Sequence, residues 1–238
     1  MSEKPRSEHF RPELTRLPEL NWIRRGVRSV LRGLVRLVLL VTTRIQAKGL
    51  ENIPRERAAL VVFNHLGDVD GLIMLSVAPV SIDFIAKIEL YDIPVLGALL
   101  EAYGVIWVHR GRPDRRALHA ALNGLAEGRL VAVAPEGRES LSGSLEEGTG
   151  GAAYIALKAD VPILPVTFTG TENLRVYGNL KRFRRTEITA TVGRTFRLER
   201  GKYLREAVQE GTQRIMRKLA LQLPKGYRGV YQGAPEDR

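Results

Sequence analysis

The chain contains no cysteine. Disulfides, thiolate nucleophiles and cysteine-based zinc sites are therefore excluded, which fits a reducing compartment. It also lacks a Gly-x-Ser-x-Gly elbow, so no serine acyl-enzyme is expected. Long apolar runs are missing too. The uncharged stretches Leu37 to Thr43 and Gly71 to Ile82 fall well short of the roughly 20 residues that a membrane span needs. Residues 1–20 carry no apolar segment of signal-peptide type. Acidic residues are outnumbered, with 26 Asp and Glu against 37 Lys and Arg and a formal net charge of +11. Such a chain is drawn to polyanions: nucleic acid, an anionic membrane surface or a phosphorylated substrate.

What is present reads as globular. The 238 residues are 44% hydrophobic and 26% charged, enough for one domain with a sizeable core. Residues 1–19 read as a loose tail with Pro5, Pro12 and Pro18. Arg24, Arg28, Arg32 and Arg36 then recur every fourth residue, opposite a stripe of Ile23, Val27, Val30, Leu34, Leu37, Val41 and Ile45. This pattern predicts a basic amphipathic helix over about 21–45, lying in a membrane interface with its arginines toward lipid phosphates, or packed on its own domain. From residue 58 onward, apolar strand-like runs alternate with helical ones. They end in late strands at "EITATVG" and "TFRL" and a closing helix over 202–222. The alternation predicts an α/β core with a largely parallel central sheet flanked by helices. The expected organisation is a tail and interface helix over 1–47, an α/β domain over 48–223 and a C-terminal tail over 224–238.

In open parallel sheets ligands bind at the carboxyl ends of the strands. The residues just past the apolar runs are Asn64-His65, His109-Arg110-Gly111 and Pro135-Glu136-Gly137-Arg138. Asp70 stands five residues after His65. A carboxylate in the first turn of a helix after that strand can hold one imidazole nitrogen, leaving the other to take a substrate proton. Alternatively, Asp68 caps the helix and Asp70 merely complements its dipole. Arg110 and Arg138 suit a phosphate or carboxylate, or else surface ion pairs. Gly137 allows close backbone approach to a ligand. His109 is the competing histidine, set aside here. The basic run "LKRFRR" over 180–185 suits lipid headgroups, the phosphates of an acyl carrier or a solvated loop, and its single Phe is poor support for nucleic-acid stacking.

Taken in order, "NHLGDVD", "DFIAKIEL", "IPVLGALLEAYGVIWVHRG", "APEGRES" and "VPILPV" resemble the blocks of the glycerolipid acyltransferases, whose best-known members are the 1-acylglycerol-3-phosphate acyltransferases. The match runs from about residue 45 to about 225. The resemblance implies His65 as the base that deprotonates the acceptor hydroxyl and Asp70 as its orienting partner. It further implies Arg110 as a phosphate ligand, Asn64, Glu136, Gly137 and Arg138 around the acceptor, and Pro162 on the acyl-donor side. The implied co-substrates are a lysophospholipid, with 1-acylglycerol 3-phosphate first, and an acyl thioester on coenzyme A or acyl carrier protein. No metal, no further cofactor and no nucleic-acid partner are implied. The implied location is peripheral, on the cytoplasmic face of a membrane. This chain departs from the family pattern at Gly67, where the family usually has Ser, and at Arg138-Glu139, where it usually has Thr-Arg. Glu146 and Glu147 stand where a basic pair is common. The acceptor therefore stays open to a glycolipid or an aminolipid, and a non-catalytic basic membrane-binding protein is the rival from another class.

Overall fold

A computed structural model of the chain describes residues 10–111 and 114–233. In chain order its main elements are α1 (Trp22–Thr42), β1 (Thr43–Lys48), β2 (Ala59–Phe63), α2 (Asp70–Val77), β3 (Ile82–Lys87), α3 (Leu96–Tyr103) and β4 (Ile106–Val108). Then follow α4 (Arg115–Ala126), β5 (Leu130–Val133), α5 (Gly150–Ala159), β6 (Ile163–Thr169), α6 (Asn173–Lys181), β7 (Thr186–Val192) and α7 (Leu204–Gln222). Among the described residues the strands form one sheet in the order β1-β7-β6-β2-β5-β3-β4. All neighbours are parallel except β6 and β7. This is the expected α/β class with a largely parallel sheet.

β2 is the sheet's centre, and every residue in it is buried. Strand side chains alternate between faces. Leu60 and Val62 pack with residues of α4, α5 and α7, whereas Ala59, Val61 and Phe63 pack with Ile73 and Met74 of α2 and Leu39 of α1. A strand covered on both sides reads as a continuous apolar run, which is why the sequence signal at residues 58–63 was so clear.

Several boundaries differ from expectation. The helix ends at Thr42, and residues 43–48 form β1, paired with β7. The boundary expected at 47 thus falls inside a strand of the same sheet. "TFRL" forms only an isolated bridge between Phe196 and Ile163. Residues 173–181, to which the sequence pattern assigned no element, are α6. The segment 10–19 is not loose: Thr15 is buried, and Leu17 packs against the core. Neither is 224–233 a free tail, since Leu145 N–H donates to the Tyr227 carbonyl and Val230 N–H to the Leu145 carbonyl. Residues 1–9 and 234–238 lie outside the described residues.

The largest correction concerns α1. Its arginines turn onto the protein. Arg28 is buried, with Nη2 2.6 Å from Asp83 Oδ1 and Nε donating to the Tyr103 carbonyl at 2.8 Å. Arg32 donates to the Leu75 and Val80 carbonyls at 3.0 and 2.9 Å and also to that of Ala78, and Arg36 donates to the Ser76 carbonyl at 2.7 Å. The last carbonyls of a helix have no partner within it and carry partial negative charge. The arginine row of α1 caps the end of α2. The apolar stripe is consequently the outer face: Val30, Leu34, Leu37 and Val41 are 63%, 55%, 61% and 67% exposed. No helix among the described residues is long and apolar enough to cross a membrane.

Candidate active site

His65 stands two residues past the end of β2, at the carboxyl edge of the sheet. Its Nδ1 is 2.8 Å from Asp70 Oδ2. The same carboxylate oxygen accepts the N–H groups of Leu66 and Gly67 at 2.8 and 3.0 Å. Asp70 is fully buried at the first position of α2, so these donors and the imidazole hold its charge. The N-cap position is Val69, without a side-chain cap bond, so Asp68 does not cap the helix. Instead Asp68 Oδ2 accepts from Tyr177 Oη at 2.9 Å.

The backbone of His65 is fixed on both sides. Its N–H donates to Glu136 Oε1 at 3.2 Å, and its carbonyl accepts from Ser140 N–H at 2.7 Å. Its Nε2 makes no hydrogen bond among the described residues, and the side chain is 30% exposed. One nitrogen is anchored and the other faces outward, the arrangement a general base needs. Burial opposes charge on the imidazole. The hydrogen bond that the ring donates to Asp70 and the charges of Asp70, Glu139 and Glu136 outweigh it and hold the pKa above its usual value.

Glu136 was expected at the acceptor. It is instead buried, and its two oxygens accept the N–H groups of His65 and Glu146. It ties the loop that holds His65 to the loop after β5. Burial raises its pKa to about 7, against the hydrogen bonds that favour the anion. The unfolded value is near 4.5, so folding takes up a proton at Glu136 between those pH values. Its contribution to stability is therefore complete below about pH 4.5 and declines as pH rises toward 7, by about 3 kcal/mol in all. The urea midpoint is expected to fall between about pH 5 and pH 8, and to fall less steeply in Glu136→Gln.

Asn64 also differs from its expected role. Its Nδ2 donates to the Phe168 carbonyl at 3.0 Å and its Oδ1 accepts from Phe168 N–H at 2.8 Å, joining the ends of β2 and β6. Arg138, expected at the acceptor, is held by Glu146 Oε2, which accepts from both Nε and Nη2, at 3.0 and 2.7 Å. Gly137 is exposed with φ +74°, a left-handed conformation that suits glycine. Arg110 lies past β4, three strands from β2 and so about 14 Å across the sheet, with Nε 3.8 Å from Glu89. Pro162 precedes β6, and its carbonyl accepts from Leu60 N–H. That places it at the opposite edge of the sheet from His65.

Other residues reach the site without a sequence signal of their own. Asn173, the first residue of α6, accepts from Asp68 N–H at 3.0 Å and donates to Glu139 at 2.8 Å. A β-carbon on Gly67 would lie 2.3 Å from the Thr171 carbonyl, so the segment leading into α6 leaves no room for a larger residue there. Lys87 ends β3, and its charge acts on Glu139. Burial and the charge of Asp68 raise the Glu139 pKa. Among the described residues no group of three His, Asp or Glu is placed to hold a metal ion.

The spacing that marked His65 occurs twice. Asp114 stands five residues after His109, and their Nδ1–Oδ2 distance is also 2.8 Å. Here, however, Nε2 accepts from Arg11 N–H at 3.0 Å and the ring is buried. Asp114 also caps α4 through the N–H groups of Arg116 and Ala117. Although burial opposes it, hydrogen bonds from His109 and Ala117 hold its pKa low. This pair has no nitrogen left for a substrate and pins the N-terminal segment.

Comparison with known proteins gives the family. The family model described as Acyltransferase matches residues 44–169. A 1-acyl-sn-glycerol-3-phosphate acyltransferase of Borreliella burgdorferi is 32% identical over 148 residues, covering 60% of this chain and 59% of the relative. The chloroplastic 1-acyl-sn-glycerol-3-phosphate acyltransferase LPAT1 of Arabidopsis thaliana is 32% identical over 139 residues, 57% of this chain and 39% of the relative. The chain thus spans about half the length of the curated relatives it matches. The crystal structure of the 1-acyl-sn-glycerophosphate acyltransferase PlsC from Thermotoga maritima superposes with a TM-score of 0.66 at 23% identity, covering 90% of this chain and 83% of that one. That likeness concerns the fold.

Proposed function

The chain belongs to the acyltransferase family, and we propose on that premise that it moves a fatty acyl group from a thioester to the hydroxyl of a lysophospholipid. The observation that carries this is His65, with Nδ1 on Asp70 and Nε2 open. His65 Nε2 takes the hydroxyl proton as the oxygen attacks the thioester carbonyl. The new C–O bond forms, the C–S bond breaks, and the imidazolium returns the proton to the departing thiolate. Asp70 stabilises the imidazolium between these steps. Backbone N–H groups at the strand exits stabilise the oxyanion. No covalent intermediate is needed.

The proposed acceptor is 1-acylglycerol 3-phosphate, giving phosphatidic acid, and the donor is acyl-coenzyme A or acyl carrier protein. In this reading Lys87 and Arg110, at the ends of adjacent strands, supply the cations that meet the phosphate. A second acceptor class, an aminolipid or glycolipid, is favoured by two observations: Arg138 is held by Glu146, and Glu139 lies near His65. A thiol-release assay with palmitoyl-coenzyme A and a panel of lysolipids decides. Release dependent on lysophosphatidate supports the first acceptor. Release with a neutral or amine-bearing lysolipid alone assigns the second. No release from any acceptor, with coenzyme A or carrier protein, would overturn acyl transfer.

The same proposal places the protein peripherally on the cytoplasmic face of an anionic membrane, with the exposed stripe of α1 in the lipid interface. Replacing Leu34, Leu37 and Val41 together by Gln removes roughly 1 kcal/mol of apolar burial per residue. Vesicle co-sedimentation is expected to weaken roughly a hundredfold. The thermal midpoint should hardly move, because these side chains have few protein neighbours to lose.

A further inference from the structure

We propose that the turn between α6 and β7 is a second membrane anchor, in which Phe183 inserts into the interface of an anionic bilayer and the flanking cations meet lipid phosphates. Phe183 is 99% exposed and has φ +52°. Its N–H donates to the Leu180 carbonyl and the next N–H, of Arg184, to the Asn179 carbonyl. These two bonds close α6 with a left-handed residue at a position where glycine is the usual occupant. A phenylalanine there is unfavourable twice, in backbone strain and in exposed apolar surface. Among the described residues nothing covers the ring, which fits a partner outside the protein.

The surroundings identify that partner. Lys181, Arg182 and Arg184 are exposed and have no salt-bridge partner among the described residues. Arg185 donates to the Thr43 carbonyl at 2.8 Å, which places the turn against the end of α1. Arg185, Arg36 and Arg44 line a groove of about 680 Å³ with Leu37 and Leu40 of the exposed α1 stripe. The turn is therefore continuous with an apolar face edged by cations. An aromatic ring among lysines and arginines beside such a face matches an interface of acyl chains and anionic headgroups.

The position also has a consequence for the site. α6 begins at Asn173, which binds the catalytic loop at Asp68, and ends at the turn. The helix is about 14 Å long. Docking through Phe183 sets the height of His65 above the lipid surface.

The test is flotation of the full chain with vesicles of phosphatidylcholine, with and without phosphatidylglycerol. Phe183→Gly relieves the left-handed strain, so its thermal midpoint is expected to hold or rise. Its binding to anionic vesicles is expected to fall about tenfold. The triple variant Lys181→Gln, Arg182→Gln, Arg184→Gln should lose about tenfold or more on phosphatidylglycerol-containing vesicles and little on neutral ones. Phe183→Trp in a Trp22→Phe background should show blue-shifted emission when vesicles are added. A Phe183→Gly protein that floats like the wild type, or a Phe183→Trp protein whose emission does not shift, overturns the proposal. So does loss of acyl carrier protein binding with vesicle binding intact, which would make the turn a protein dock. None of these readouts needs turnover, so an inactive protein that binds through Phe183 leaves the anchor standing.

Discussion

Replacing His65 by alanine is expected to lower acyl transfer about a thousandfold while the protein remains folded. The ring is partly exposed, and the bonds that fix the loop belong to its backbone and survive the change. Asp70→Asn is expected to cut the rate as well, because an amide cannot accept from the ring and from both the Leu66 and Gly67 N–H groups as the carboxylate does. The two variants differ in pH dependence. A general base works in its neutral form, so the wild-type rate rises with pH through the His65 pKa. That pKa is held above 6.5, and the acid limb of kcat/KM should lie above that value. Removing the Asp70 charge removes the largest raising influence on the imidazole, so the residual activity of Asp70→Asn should have its acid limb at lower pH. A His65→Ala protein with full activity would remove the general-base role, and an unshifted limb in Asp70→Asn would remove the pairing.

The second large effect concerns stability. Arg28→Ala is expected to cost about 3–5 kcal/mol, the range for breaking a buried pair by deleting one member. Arg28 and Asp83 are 4% and 1% exposed. The guanidinium also donates to the Tyr103 and Gly104 carbonyls and lies 4.6 Å from the Tyr103 ring centre. Asp83 keeps a contact with Arg129 at 3.3 Å, which does not replace all of these. Combining Arg28→Ala with Asp83→Ala should be less damaging than the sum of the singles. Arg25→Ala, on the exposed side of the same helix, should change stability by no more than about 0.5 kcal/mol. Urea unfolding reads all four. A stable Arg28→Ala protein that had merely lost vesicle binding would return the arginine face to the lipid.

The sheet was legible where its strands are buried on both faces, as at β2 and β6, because burial from two sides leaves an unbroken apolar run. Edge elements were less legible. β1 has an exposed, polar pattern and is a strand only because β7 pairs with it. α6 escaped notice because five of its nine residues are charged, amide or glycine. For α1 the periodicity was correct and the orientation was not. Heptad-like spacing fixes which residues share a face, but which face turns inward depends on the neighbours. Here they were the end carbonyls of α2 and the buried Asp83, groups far away in sequence that bind arginine more strongly than apolar side chains can pack on them.

The site divides in the same way. The sequence by itself determined the α/β class and pointed to the strand exits and to His65 with Asp70, which the fold joins at 2.8 Å. It could not assign Asn64, Glu136 or Arg138, since each is engaged by a residue brought in from another element or loop. Nor does spacing distinguish the two histidines that have an aspartate five residues on. Both rings hold their aspartate at the same 2.8 Å. The fold alone decides between them, by laying the backbone N–H of Arg11 on one ring's second nitrogen and leaving the other's facing outward.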